Sequence, residues 1–100
     1  MDKPFVIMKT LGDETRYRIV QLLLEHDYCV NAIAKRLDVS QSAVSQHLKV
    51  LRASGLVRGE RRGYYTHYAI DRDLLRDTAE ELKDLIRIKR NEGSAHCSKP

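Results

Sequence analysis

Between positions 40 and 49 the chain carries Ser40, Gln41, Ser42, Ser45, Gln46, His47 and Lys49, a run of hydroxyls, carboxamides and an imidazole ending on a cation. Such groups exchange hydrogen bonds without needing a charged partner, which is the chemistry that reads base edges; the cation suits phosphate. Further on, Arg61 and Arg62 are adjacent cations between Gly59 and Gly63, a pairing suited to a sugar-phosphate backbone. A different chemistry resides in Cys29, His96 and Cys97. Two thiolates and one imidazole nitrogen form a set that favours soft ions such as As(III) or Cd(II). The same thiols could instead form a reversible disulfide or persulfide link. The plainest alternative makes Cys29 a small buried hydrophobe and Cys97 an incidental thiol of the tail.

The surrounding sequence must position these groups. Val44, Leu48 and Leu51 recur at helical spacing, predicting a helix that turns its polar residues to the other side. Ser40 is placed to cap its start and Gly55 to end it in a left-handed conformation. Before it, Ile33, Ala34 and Leu37 predict a short helix, with residues 37–40 as the turn. Helix, turn and helix with that exposed face predict a helix-turn-helix whose second member enters the major groove. Residues 56–63 and 64–70 then read as a strand, a turn rich in Arg and Gly, and a strand of aromatic and β-branched residues, which places Arg61 and Arg62 at the tip of a wing. The competing reading is a solvated helix face and a loop kept soluble by charge. Charge distribution argues against it: residues 29–63 hold seven cations and two anions, residues 1–28 four and five, and residues 64–100 seven and seven. The whole excess sits on the proposed reading surface, the electrostatic footprint of nucleic-acid binding.

The flanking segments complete a mainly α domain with one small β-hairpin, a winged helix-turn-helix spanning residues 1–92. Phe5, Met8 and Leu11 predict a first helix over residues 4–11, ended by Gly12. Asp13 should cap a second helix over 14–25, in which Ile19, Val20, Leu22, Leu23 and Leu24 are apolar. Residues 28–30 form an apolar link that could pair as a minimal strand with the base of the wing. A last helix over 73–90 carries two apolar stripes, Leu75, Ala79, Leu82 and Ile86 beside Leu74, Thr78, Leu85 and Ile88. They are wider than so small a domain needs, so the first and last helices are expected to form a two-fold homodimer; the alternative uses both stripes within one chain. Two reading helices related in this way would reach major grooves about 34–36 Å apart, so the expected partner is double-stranded DNA with an inverted-repeat operator. Residues 93–100 read as a flexible tail.

Other function classes fare worse. With 42% hydrophobic and 32% charged residues the chain reads as an ordinary globular domain. The longest apolar run is far short of a membrane span, and the N-terminus lacks a signal-peptide core. Two cysteines make no disulfide framework, which points to the cytoplasm. No glycine loop cradles phosphate, and no Ser or Cys stands in a recognisable relation to a His base, so an enzyme is not expected. A winged helix used for protein contacts would expose an apolar patch rather than a basic, amide-rich face. Tyr64, Tyr65 and Tyr68 suit strand packing better than a single-strand stacking platform. His67 reads as a cross-strand partner, and His26 as a helix-end histidine.

Residues 11–16 (LGDETR), 40–52 (SQSAVSQHLKVLR), 55–57 (GLV) and the hairpin at 63–68 resemble the ArsR/SmtB family of winged-helix repressors. The resemblance implies homodimers that hold an operator when free and release it when a metal ion, metalloid or thiol-reactive signal binds. It also implies that Ser40, Gln41, Ser42, Ser45, Gln46 and His47 lie at or near DNA. The family's sensing sites carry over poorly. Where soft-metal sensors have Cys, Val, Cys, this chain has Cys29, Val30 and Asn31. A zinc-type site in the last helix is also excluded, since no histidine occurs between His67 and His96.

Overall fold

The computed structural model describes residues 2–93. Five helices and one hairpin follow in the order α1 (Lys3–Leu11), α2 (Glu14–Glu25), α3 (Val30–Leu37), α4 (Gln41–Ala53), β1 (Val57–Arg62), β2 (Tyr65–Ile70) and α5 (Arg72–Arg87). Side-chain caps set the starts of three helices. Asp13 accepts from the Arg16 amide, Ser40 Oγ from the Ala43 amide and Asp71 from the Leu74 amide, each satisfying a donor the helix itself leaves orphaned.

The core is built where α1 to α4 meet the base of the hairpin, with Ile7, Ile19, Ile33, Val44, Leu51 and Leu56 fully enclosed. Two buried threonines, Thr10 and Thr78, return their hydroxyls to the carbonyls of Val6 and Leu74, so neither enters the interior unpaired. At the end of α4, Lys3 Nζ donates to the Ser54 carbonyl at 3.1 Å. A Cβ at Gly55 would stand 2.9 Å from that nitrogen, on a residue with φ +87°. Glycine is favoured there by its backbone angle; the lysine tip could swing away from an added side chain.

Two expectations need correction. The first helix forms as expected; its enclosed residues are Ile7 and Thr10, while Phe5 is 48% exposed. The helix is apolar nearly all round, with Phe5, Val6, Ile7 and Met8 consecutive, and periodicity cannot choose a face from such a run. Residues 28–30 form no strand, and the sheet has two strands among the described residues. Cys29 instead caps α3, its carbonyl accepting from the Ile33 amide, so the backbone a third strand would use is already turning into a helix. The last helix ends at Arg87, short of 90. Of the expected tail only Gly93 is described.

Along α5 burial fades. Leu74 and Leu75 pack partly against the core and Thr78 is buried, but Leu82, Leu85 and Ile86 stand exposed, followed by Ile88. Its other side carries exposed pairs, Arg76 with Asp73, Lys83 with Glu80 and Arg87 with Asp84, which support a helix only weakly.

Candidate nucleic-acid interface

The turn between α3 and α4 is tight because Asp38 takes a left-handed conformation, φ 55°, which short polar side chains tolerate. The Val39 amide then closes on the Ala34 carbonyl at 3.1 Å. This fixes α4 on α3, with Val44, Leu48 and Leu51 inward and Gln41, Ser42, Ser45, Gln46 and Lys49 exposed. Two of the expected reading residues already have structural duties. Ser40 spends its hydroxyl on the cap, and Gln41 Nε2 donates to Asn31 Oδ1 at 3.1 Å, joining the starts of the two helices.

His47 lies at the edge of that face, as its place in the sequence suggests. Its ring is half-buried, with Nδ1 3.4 Å from Arg16 Nη1 and 3.9 Å from Asp13 Oδ2. Arg16 also donates through Nε to the Thr10 carbonyl at 2.7 Å. One guanidinium thus joins the end of α1, the start of α2 and the middle of α4. The backbone amide of Arg16 holds the Asp13 carboxyl below its ordinary range against the opposing effect of burial, helped by the charge of Arg16. The 31 residues separating Arg16 from His47 hid this cluster from periodicity; only Asp13 as a cap was visible.

In the wing, β1 pairs with β2 antiparallel, Val57 opposite Ile70 and Arg62 opposite Tyr65. Gly63, φ +64°, opens a two-residue turn with Tyr64, the arrangement a hairpin's right-handed twist favours. Arg61 and Arg62 therefore end β1 rather than occupying the turn itself, and the residue at the tip is Tyr64, 96% exposed. Arg62 is engaged by Glu60 at 3.2 Å; Arg61 has no ion pair among the described residues. The wing is seated on α4 through Arg52, whose guanidinium carbon a Cβ at Gly59 would meet at 3.2 Å. It is held at its other side by His67, which pairs with Asp27 beyond the end of α2. His67 also faces Glu60 across the ladder, so the cross-strand reading holds with an added partner.

The sulfur chemistry divides. Cys29 is exposed, not a core residue, and lies beside Tyr64, Tyr65 and Tyr68 in a cleft between α3 and the wing. His96 and Cys97 lie outside the described residues. Among the described residues no three His, Cys, Asp or Glu side chains converge as a metal site.

The family model for the bacterial regulatory proteins of the arsR family matches residues 13–58, from the cap of α2 to the start of the wing. The transcriptional activator HlyU of Vibrio cholerae is 34% identical over 86% of this chain and 73% of its own length. This chain belongs to the arsR family. Another relative, the arsenical resistance operon repressor of Escherichia coli, is 43% identical over 67% of the chain and 58% of its own length. The homodimeric winged helix-turn-helix DNA-binding domain from Mycobacterium bovis superposes with a TM-score of 0.68 at 26% identity, covering 95% of this chain and 89% of that one. As an arsR-family member the protein is a DNA-binding transcriptional regulator with a winged helix-turn-helix fold. No helix among the described residues is long and apolar enough to cross a membrane.

Proposed function

We propose that the protein acts as a homodimer on an inverted-repeat operator and represses by occupying it. Each α4 would lie in one major groove, with Ser42, Ser45 and Gln46 at base edges and Ser40, Gln41 and Lys49 toward phosphate. Arg61 and Arg62 would steady the wing on the adjoining backbone. The observation that carries this reading is the exposed, mostly uncharged donor and acceptor face of α4 beside a cationic hairpin. Pairing of two copies is supported by the exposed apolar end of α5 with Phe5 of α1, and by the homodimeric domain of similar fold.

Release by a thiophilic signal, a soft ion such as As(III) or Cd(II) or a polysulfide, would act at Cys29, an accessible thiol at the start of α3. Footprinting on genomic fragments tests the core of the reading. The expected result is two protected half-sites one helical turn apart, with affinity falling steeply as salt rises; absence of protection even at low salt contradicts it. Transcription from the footprinted promoter should fall on adding protein; a rise would assign this chain the role named for HlyU. Cys29→Ser should abolish release by an added thiophile.

A further inference from the structure

We propose that Arg16 is a positioning residue for the reading helix: its guanidinium fixes His47 as the neutral tautomer with the proton on Nε2, so that the ring offers the duplex a hydrogen-bond donor and nothing else. The inference rests on the assignment of α4 to the major groove.

Its chemistry is asymmetric. A guanidinium has five donors and no acceptor, and it does not lose its proton in proteins. In the 3.4 Å contact between Arg16 Nη1 and His47 Nδ1, the imidazole nitrogen must therefore be the acceptor. A neutral ring that accepts at Nδ1 carries its hydrogen on Nε2. Nε2 has no hydrogen-bond partner among the described residues, and the side chain keeps a quarter of its surface accessible. It can donate to a phosphate oxygen, or to N7 or O6 of guanine or O4 of thymine, but cannot accept from the amino groups of adenine or cytosine.

Arg16 can set the ring because it is itself held. Its Nε bond to the Thr10 carbonyl and its amide bond to Asp13 aim the guanidinium from the junction of α1 and α2. The charged groups facing the ring are Arg16 and Asp13, both from the start of α2.

Nitrogen-15 spectra of the imidazole in the whole protein without DNA test the tautomer directly. At a pH where the ring is neutral, His47 should show hydrogen on Nε2 alone. Arg16→Met keeps the apolar stem and removes the donors; it should give a mixture of the two tautomers and weaken operator binding roughly tenfold, the worth of one hydrogen bond. In a His47→Gln background, where a carboxamide supplies an outward N–H with no tautomer to fix, the same substitution should change affinity less than about twofold. Hydrogen on Nδ1 in the wild-type spectrum overturns the proposal, and that spectrum decides even if a variant fails to fold. So does an equal loss in both backgrounds, because Arg16 would then act only through α1. If His47→Ala binds as tightly as wild type while Gln46→Ala does not, the outward contact is wrong. If the wild type binds no duplex, the groove assignment is what fails, and the nitrogen spectrum still judges the tautomer.

Discussion

Two helices of this protein begin alike and end differently. Both α4 and α5 start on a side-chain cap, Ser40 and Asp71, and both have an apolar side. The apolar side of α4 is spent inside the chain, where Val44 and Leu51 have no accessible surface. That of α5 is spent for about two turns and then left over, with Leu85 63% and Ile86 85% exposed. The apolar side of α4 is thus covered by its own chain, while the far end of α5 is left uncovered. On the proposed reading, rigidity is supplied locally where sequence is recognised, and incompleteness is kept where a second copy would dock.

The contrast is broken hardest at the unfinished end. Leu85→Glu combined with Ile86→Glu should yield a folded monomer in sedimentation and weaken operator binding by about a hundredfold or more, since two half-sites can no longer be held together. A dimer that survives both charges would place the pairing surface elsewhere. At the finished end, Leu51→Ala should cost about 2–5 kcal/mol in urea unfolding by opening a void in the core, whatever the protein concentration. Leu85→Ala should instead reveal itself in how the melting temperature depends on concentration. Within the reading end, Gln46→Ala should cost about 1–3 kcal/mol of discrimination at one base pair. Arg61→Ala should weaken all duplexes alike and lower the salt slope by about 1, with a larger effect than Arg62→Ala because Glu60 already engages Arg62.

The smallest effect concerns acid. The Asp13 carboxyl titrates below its ordinary value in the folded chain, so its contribution is present above the unfolded carboxylate range, about pH 4, and disappears as pH falls through the lower folded value. Asp13→Asn keeps a capping oxygen and should flatten that part of the acid-unfolding curve.

What could be read from the sequence was what depends on near neighbours. Ser40 and Asp13 as caps, Gly55 as a stop and Gly63 in the hairpin turn are decided within three or four residues of themselves. The outward face of α4 was legible because Val44, Leu48 and Leu51 leave no doubt about the inward one. Which side of α1 turns inward was not legible, because Phe5, Val6, Ile7 and Met8 are consecutive and apolar. The link at 28–30 was misjudged because strand preference in Tyr28 and Val30 is weaker than the helix that Ile33 and Ala34 anchor. The edge position of His47 was legible from its place beside Leu48, but its contact with Arg16 was not, because 31 residues separate the two.

Gly59 has a mechanical meaning beyond its lack of a side chain. The guanidinium of Arg52 comes close to bare backbone there, so a side chain at 59 would push apart α4 and the hairpin that ends at Tyr64. Were α4 to tilt by a small angle and carry the hairpin with it, the fingertip would sweep a longer arc than the helix, and contacts made by the two would loosen together.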